Sequence, residues 1–336
     1  MKISKIILLS FAFVSISPLA GACDICGCYN PPLESGSGSI LSHFNLSVAE
    51  QFTYFGTDQL DGREVRDTTG EYMNSSITQV VLGCNFNDRF GIQLNLPFIY
   101  RNYKRPYGDE IQYGSLGGIG DITLAAHAVI LKKEAGFHDR GSRSSGKEIR
   151  TDIGTGEPDF SALMVVDAGL KMPTGDPGEL KQNYNDVETG GIGPHDLALG
   201  SGSWDGSFGG STEVRWKRAF FEAGVHYSVC GPGAYQFQYA NTLTWSGGPG
   251  FYPIRNEYGS AGLQLNLSGE TKGYDLFQGR PDSDSSLTAL YVGPRVVAVF
   301  GSIDGEIGID LPVIMNATGY QSTPTYRIHA GVTWKF

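Results

Sequence analysis

Three cysteines stand close together near the start of the chain. Cys23, Cys26 and Cys28 form the run C-D-I-C-G-C. Thiolates at this spacing can bind a soft metal ion such as Cu(I) or Zn²⁺. The run therefore has two interpretations: a metal site at these three residues, or disulfides in an oxidising compartment with Cys84 as a fourth member. No other cofactor is expected.

A serine hydrolase is a second chemistry that the residue types suggest. His195 and Asp196 precede Ser203 in a glycine-rich stretch. Hydrolysis of this kind requires the three side chains to lie within hydrogen-bond reach, and loop spacing cannot establish that. Glycine-rich turns account for the same residues. We therefore expect that the protein is not an enzyme.

The composition excludes several classes of protein. The formal net charge is −10, which argues against nucleic acid as a partner, because that partner requires a basic face. The 47 glycines show no three-residue period, so the chain is not collagen. No apolar run of about 18 residues follows the N-terminal segment, which excludes a helical membrane protein. With 40 % hydrophobic residues, the chain is too apolar to be disordered.

The first residues have the pattern of a secretory signal peptide. Lys2 and Lys5 precede an apolar core, and Ala20-Gly21-Ala22 is a small-residue cleavage site. We expect three parts: a signal peptide (1–22), a cysteine-rich periplasmic segment (23–38) and a β-barrel (39–336). A lipoprotein cleaved before Cys23 is the alternative.

Apolar and polar residues alternate along most of the chain. In 90–100, for example, apolar residues such as Phe90, Ile92 and Phe98 occupy one face. The alternating segments are longer than the usual ~5–6 residues of soluble strands, and they match the ~9–11 residues that cross a bilayer. The sequence predicts an all-β fold, a transmembrane antiparallel β-barrel of about 12 strands (range 10–14). Glu50 is an exception on an apolar face.

Turn lengths alternate as they do in transmembrane barrels. Tight turns are predicted at 85–89, 217–219 and 301–305, on the periplasmic side. Long polar loops are predicted on the outer side at 55–70, 101–117, 173–206, 230–253, 273–286 and 316–325. One insertion, 132–159, falls on the periplasmic side. Glycines blur the pattern in 254–274, which is either two short strands or one kinked strand.

The faces opposite the apolar ones predict the residues that line the barrel interior. Charges there can pair across the lumen, or line a path and set ion preference. The predicted lumen-lining residues are Gln93, Asn95, Arg101, Asp121, His127, Asp167, Lys171, Glu213, Arg215, Glu222, His226, Asp310, Arg327 and His329.

Three segments carry a resemblance to a known family. They are L-G-G-I-G-D-I-T-L (116–124), A-G-L-K-M-P-T-G-D (168–176) and L-A-L-G-S-G-S-W-D (197–205). Their order and spacing resemble the outer-membrane β-barrel family named for the meta-cleavage pathway of phenol degradation, whose members are often described as transporters. The resemblance implies a barrel that passes small molecules, hydrophobic ones included. The aromatic end at Phe336 looks like the signal that the barrel-assembly machinery recognises.

Together these features predict a passive transporter or pore in the outer membrane of a Gram-negative bacterium. Its partners would be outer-membrane lipid, the assembly machinery and a small-molecule solute. Four aromatic residues of the loop 230–253 are candidates for a solute access patch: Phe237, Trp245, Phe251 and Tyr252. The alternative is a closed structural or redox scaffold whose N-terminal cysteines bind a metal or an electron-transfer partner.

Overall fold

The described part of the chain is almost entirely β-structure. The computed structural model describes residues 42–137, 158–185, 187–256 and 258–336. Within them the strands are β1 (Phe44–Leu60), β2 (Arg63–Glu64), β3 (Tyr72–Asn85), β4 (Phe90–Tyr107), β5 (Glu110–Ile119), β6 (Thr123–Phe137), β7 (Pro158–Lys171), β8 (Asp205–Trp216), β9 (Ala219–Cys230), β10 (Phe237–Gln238), β11 (Thr242–Asn256), β12 (Gly259–Lys272), β13 (Leu276–Phe277), β14 (Arg280–Pro281), β15 (Leu287–Phe300), β16 (Ile303–Ala317) and β17 (Tyr320–Lys335). Helical residues form α1 (Pro194–Leu197) and two 3₁₀ helices, Gly178–Tyr184 and Ala234–Gln236.

None of the helices in the described ranges has the length and apolar character needed to cross a membrane.

Twelve long strands form a closed antiparallel barrel. Around the ring the order is β1, β3, β4, β6, β7, β8, β9, β11, β12, β15, β16 and β17. The pairing of β1 with β17 runs from Asn45–Lys335 to Leu60–Tyr320 and closes the ring. Closure leaves no unpaired sheet edge in the ring. The predicted fold, an antiparallel barrel of about 12 strands, is confirmed.

The alternation in the sequence becomes an apolar outer wall and a polar interior. Successive side chains of a strand point to opposite faces of the sheet. Outward residues such as Ile307, Leu311 and Val313 are each about half exposed, whereas inward Asp304 and Asp310 on the same strand are buried. Glu50 is a charged residue on the outer wall, where its carboxylate accepts hydrogen bonds from Ser76 and Thr78.

The two rims of the barrel differ in the length of their connections. At one rim, short turns occupy 86–89, 217–218 and 301–302, and the connection from β11 to β12 is also short. We call this the tight-turn rim and the opposite one the loop rim. Of the predicted insertion 132–159, the described residues belong to β6 and β7, and residues 138–157 lie outside the described ranges. The signal peptide (1–22) and the cysteine-rich segment (23–38) also lie outside them.

Several predicted outer loops are wrong. The range 316–325 holds a two-residue turn between β16 and β17, and 101–117 is mostly the hairpin of β4 and β5. Most of 230–253 is strand, because β11 begins at Thr242. Glycines and a proline in 247–250 conceal its alternation. At Gly247 a glycine is required, because a Cβ there would lie 2.2 Å from the carbonyl oxygen of Glu222.

The blurred stretch 254–274 contains the end of β11 and the whole of β12. The connection between them lies between Asn256 and Gly259, and β12 then runs unbroken to Lys272. The alternation of apolar and polar residues is hard to recognise in this stretch because glycines stand on both faces of β12. At Gly262, for example, a Cβ would lie 2.9 Å from the ring of Tyr252.

A break between β5 and β6 positions a functional side chain. The part of β4 near the loop rim pairs with β5, and the part near the tight-turn rim pairs with β6. Residues 120–122 connect the two strands without belonging to either. Asp121 stands in this break, so its carboxylate is free of the strand alternation and lies buried in the interior.

Candidate functional site

The connection from β7 to β8 folds into the barrel. We call its residues 187–204 the inner loop. Ile192 and Leu197 of this loop are buried and pack against Phe55, Met73 and Tyr103, which are inward side chains of β1, β3 and β4. Apolar side chains of the loop therefore cover the inner wall on one side of the barrel near the loop rim.

The inner loop reaches well below the loop rim. Leu199 packs against Ile77 and Ile99, which face each other across β3 and β4 about five residues inside the strand β3. On the other side of the loop, Leu180 and Phe237 form a further buried cluster. The loop thus stands in the lumen between two apolar surfaces.

A buried lysine holds the base of the inner loop. The Nζ atom of Lys171 lies 3.1 Å from a carboxylate oxygen of Asp121 and 2.5 Å from one of Asp205. The same nitrogen donates to Ser201 Oγ at 2.8 Å, and that hydroxyl donates to Asp121 at 2.7 Å. Ser203 donates to Asp205 at 2.7 Å. One positive charge therefore joins a carboxylate from the break between β5 and β6 and a carboxylate from β8 to the loop.

The three segments that carry the family resemblance meet at this base. Thr174 accepts from the backbone of Ile122 and donates to that of Gly120. Gly175 donates its N–H to Asp121 at 2.9 Å. The backbone carbonyl oxygen of Asp176 accepts hydrogen bonds from the N–H groups of Leu199 and Gly200 in the third segment. The motifs are far apart in the chain, yet they build one structural unit.

Inward arginines bind the backbone of the inner loop. Arg101 donates to the carbonyl oxygen of Ala198 at 2.7 Å. Arg105 donates to the carbonyl oxygen of Ile192 at 3.2 Å and to the side chain of Gln182 at 2.6 Å. Both guanidinium groups are fully buried. Two side chains of β4 therefore hold the inner loop at two levels along the barrel axis.

A carboxylate holds the tip of the same loop. Glu71, just before β3, accepts hydrogen bonds from the backbone N–H of Gly191 at 3.1 Å and of Ile192 at 2.7 Å. Burial raises the pKa of Glu71 to about 7, although the two N–H donors act in the opposite direction. Nearby Asp58 and Asp67 act in the same direction as burial and contribute to this raised pKa. This group therefore titrates near neutral pH.

Ion pairs line the other side of the interior. Arg295 of β15 lies 3.2 Å from Glu222 of β9, and its Nε atom donates to Glu306 of β16 at 3.0 Å. Gln264 of β12 accepts from the same guanidinium group at 3.1 Å. These contacts join side chains from four strands on the inner wall. They make the wall charged without leaving the arginine unpaired.

A second ion pair lies nearby. Arg327 of β17 donates to Glu270 of β12 at 2.8 Å, and its guanidinium carbon stands 3.9 Å from the ring centre of Tyr291. Asp310 of β16 accepts from the amide of Asn266 at 3.1 Å. The predicted lumen residues Arg327 and Asp310 therefore take part in contacts that span several strands.

The predicted histidines lie on the inner wall beside other polar groups. His226 stands 3.1 Å from Asp167, and His127 faces Asp167 across the pairing of β6 and β7. His329 lies opposite Gly308, where a Cβ would meet the ring at 2.1 Å. Glycine on the neighbouring strand thus makes room for an imidazole inside the barrel.

The remaining predicted lumen residues are distributed along β4 and β8. Asn95 donates to Gln79 at 3.1 Å, and Gln93 faces a glycine of β3. Glu213 faces Glu222 across β8 and β9, with Arg215 two residues farther along. The structure does not bring all fourteen residues into one cluster. They are distributed over the inner wall as strand alternation distributes them.

Sequence reasoning missed several important interior residues. Arg105 and Ser201 lie in predicted loops, Glu71 directly follows the predicted loop 55–70, and Arg295 was not selected although it stands on an alternating strand. For Arg295 a signal was available, because its charge stands on the strand face opposite to that of the adjacent apolar residue Val296. For Glu71 and Ser201 the neighbouring residues give no such signal, because their hydrogen-bond partners belong to distant segments.

The serine-hydrolase geometry is not assembled. The hydroxyl of Ser203 donates to Asp205, and its backbone N–H donates to Ser201 Oγ. The ring of His195 lies 3.3 Å from the carboxylate of Asp196 and stacks on Phe237 at 5.7 Å between ring centres. The histidine therefore belongs to a packed cluster and does not act on the serine.

The predicted cysteine site lies outside the described residues, as Cys23, Cys26 and Cys28 all precede residue 42, and it stays a prediction. Cys84 and Cys230 lie at opposite rims and are not joined to each other by a disulfide. Within the described ranges, no group of three or more His, Cys, Asp or Glu side chains is arranged to hold a metal ion.

The predicted aromatic access patch is wrong. Trp245 and Phe251 belong to β11 and project from the outer wall, whereas Tyr252 points inside next to the tight-turn rim. Phe237 is fully buried in the cluster beside the inner loop. The four residues therefore lie on three different surfaces and cannot form one patch.

The interior carries an excess of negative charge. Among the described residues, ten aspartates and glutamates are buried, against six lysines and arginines. Because low-dielectric walls focus such a field, the charge acts on any ion inside the barrel. A cation is therefore attracted to this interior more strongly than an anion.

Solved structures resemble this barrel. An outer membrane channel from Pseudomonas putida F1 has a TM-score of 0.52 at 12 % identity, covering 92 % of this chain and 100 % of that one. A FadL homologue from Pseudomonas aeruginosa has a TM-score of 0.35 at 12 % identity, covering 87 % and 90 %. The CymD monoaromatic hydrocarbon channel has a TM-score of 0.35 at 8 % identity, covering 95 % of both chains.

The TM-score of 0.52 at 12 % identity shows that this chain and the Pseudomonas putida channel share a fold. The TM-scores of 0.35 are too low to establish a shared fold with the other two proteins. Comparison with protein-family models gave no match, and neither did comparison with curated protein sequences. The chain is thus similar in fold to an outer membrane channel.

Proposed function

We propose that this protein is a passive pore for small solutes in the outer membrane of a Gram-negative bacterium. The observation that carries the proposal is a closed barrel with an apolar outer wall, a charged inner wall and a loop folded into its interior. A polar interior of this kind forms a water-filled channel in porins and surrounds a loop or a helix in other outer-membrane barrels. Solute would move down its own gradient.

The outer wall supports the membrane location. Outward strand residues are mostly apolar, and aromatic residues such as Phe90, Phe221, Phe300 and Trp334 stand near the tight-turn rim. Girdles of this kind lie at the membrane interface of transmembrane barrels. We infer that lipid contacts this wall and that the tight-turn rim faces the periplasm.

The end of β17 supports the assembly machinery as a partner. Phe336 is largely exposed, and its backbone pairs with Phe44 at the seam of the barrel. An exposed aromatic side chain at a strand end is available for recognition before the seam closes. This partner is proposed from the resemblance together with that exposure.

The charged wall favours small polar solutes, and the resemblance adds hydrophobic molecules as a second class. These two classes can be separated with proteoliposomes. Swelling in a sugar solution reports polar solutes, and uptake of a labelled aromatic compound reports hydrophobic ones. A pore that passes sugar and excludes the aromatic compound would contradict the family-based part of the proposal.

Single-channel recording in planar bilayers tests the pore itself. The purified protein is compared with a variant in which 188–196 are replaced by a Gly-Ser sequence of equal length. We expect discrete conductance steps for both proteins and larger steps for the variant, because the apolar tip no longer packs in the lumen. Heat-modifiable gel mobility checks that both barrels are folded. Folded protein without steps in either case would overturn the proposal.

A further inference from the structure

We propose that the inner loop is a gate whose tip is held by Glu71, and that this gate closes more firmly as the medium becomes acidic. The inference rests on the proposed pore function and adds its regulation. It concerns the range 187–204, which the structure describes without a break.

The contact between Glu71 and the loop is a compact carboxylate–amide latch. Both carboxylate oxygens are used, one by the N–H of Gly191 and the other by the N–H of Ile192. The turn before them needs glycine: Gly190 has a φ of +68°, and a Cβ there would lie 2.8 Å from Glu71 Oε2. Seating of the loop thus covers the carboxylate, which is 3 % exposed.

The latch holds the tip of the loop and not its base. At the base, Lys171, Asp121 and Ser201 form an ion-paired network. The tip is held by Glu71, by one hydrogen bond from Arg105 and by apolar packing of Ile192. Two backbone hydrogen bonds add to this hold, one from the N–H of Ser322 to Gly191 and one from the N–H of Gly108 to Glu188, each at 2.8 Å. A motion of the tip about this base is therefore the smallest change that would widen the lumen.

The charged groups around Glu71 are mostly acidic. Asp58 approaches from β1 and Asp67 from the preceding loop, and both act electrostatically on Glu71. From β17, Tyr320 donates its hydroxyl to Asp58 at 2.9 Å. From β4, Arg105 donates to the backbone of the inner loop.

Three further titratable groups lie on the gate: His195 and Asp196, which pair with each other, and Glu188, which is exposed. In α1, the His195 ring lies 3.3 Å from Asp196. None of the contacts around Glu71 in the described residues supplies a cation bonded to its carboxylate. A negative charge on Glu71 is therefore disfavoured while the loop covers it.

The sign of the pH effect follows from this environment. With the loop seated, the pKa of Glu71 is raised to about 7 by burial, which outweighs the two N–H donors. With the tip displaced, the carboxyl group is hydrated and has an ordinary pKa of about 4.3. The closed state therefore binds the proton more tightly, so acid stabilises the closed state and a rise of pH through this window favours opening.

Open probability as a function of pH tests the gate. Single-channel records are taken from about pH 5 to about pH 8 for the wild type and for Glu71→Gln, with Glu64→Gln as the matched control. Glu64 is an exposed glutamate at the same rim. We expect the ratio of open to closed time of the wild type to rise more than about tenfold over this range.

The variants separate the outcomes. Glu71→Gln carries a neutral side chain at every pH, so it should stay at the acidic level throughout, while Glu64→Gln follows the wild type. A ratio of open to closed time that does not change with pH, or that rises upon acidification, would overturn the gate but not the proposed pore function. A folded protein that never conducts, at any pH, would instead overturn the pore.

Hydrogen exchange supplies a measurement that needs no variant. Amide exchange of a peptide covering 188–196 is followed by mass spectrometry and corrected for the intrinsic pH dependence. Protection of this peptide should fall as pH rises, while a peptide covering 197–204 changes less because the base stays anchored. Equal protection of the first peptide across the range contradicts the proposal.

Discussion

Gly175 and Gly200 lie back to back at the base of the inner loop. A Cβ on Gly200 would stand 2.6 Å from the Cα of Gly175, and one on Gly175 would stand 2.5 Å from the carbonyl oxygen of Leu199. Two backbones approach here more closely than any side chain permits. This approach seats the inner loop on the end of β7.

Gly200→Ala should therefore loosen the inner loop. The added methyl group meets backbone atoms, which cannot move aside as a flexible side chain would, and overpacking of this kind costs about 1–3 kcal/mol. We expect a lower midpoint of urea unfolding and a larger conductance in the proposed pore. Gly206→Ala is the control, because a Cβ there has no neighbour within 4 Å. Equal behaviour of the two variants would contradict the close approach.

Lys171→Met should destabilise the barrel strongly. The substitution leaves Asp121 and Asp205 buried without their shared cation, and breaking a buried ion pair in this way costs about 3–5 kcal/mol. The free energy of unfolding in detergent, measured with urea, checks the value. Lys132→Met, at an exposed position of β6, should change it little. A Lys171 variant as stable as that control would show that the network contributes nothing.

The proposed pore should prefer cations. Buried carboxylates outnumber buried lysines and arginines by ten to six among the described residues. The reversal potential in a KCl gradient measures the preference. Asp310→Asn should reduce it, whereas Asp88→Asn, at an exposed turn, should leave it unchanged because exposed rim charges are screened by salt. Anion preference in the wild type would contradict this account of the lumen.

Tyr291→Phe should preserve or raise stability. The hydroxyl of Tyr291 is buried and has no hydrogen-bond partner among the described residues, so its removal relieves a cost of about 1 kcal/mol. The ring that Arg327 covers at 3.9 Å stays in place. Tyr291→Leu loses that cation–π contact and should be less stable than the Phe variant by up to about 2 kcal/mol. Urea unfolding of the two variants side by side provides the check.

Strand alternation made the barrel wall predictable. Phe221 and Val225 face outward and Glu222 inward because side chains of a strand alternate, and no distant residue can change that parity without a bulge. The same reasoning failed for β11. There Gly247 and Pro249 look like a loop, and only the close approach of the neighbouring strand explains Gly247.

The inner loop could not be predicted from its own residues. Polar and glycine-rich, the range 187–204 has the composition of an exposed connection. Its buried position depends on Arg101, Arg105 and Lys171, whose positions on the inner wall are set by pairing of β4 and β7 with their neighbours. Each partner is distant along the chain, so no local pattern identifies the pair.

The sequence by itself determined the kind of fold, an approximate strand number and most of the residues that form the two wall faces, because these depend on a period of two and on short turns. The tertiary structure alone decided that the connection from β7 to β8 enters the lumen, that Lys171 joins two carboxylates and that Glu71 holds the tip of the loop. Those features depend on closure of the ring between β1 and β17, which brings inward side chains from distant strands within bonding distance.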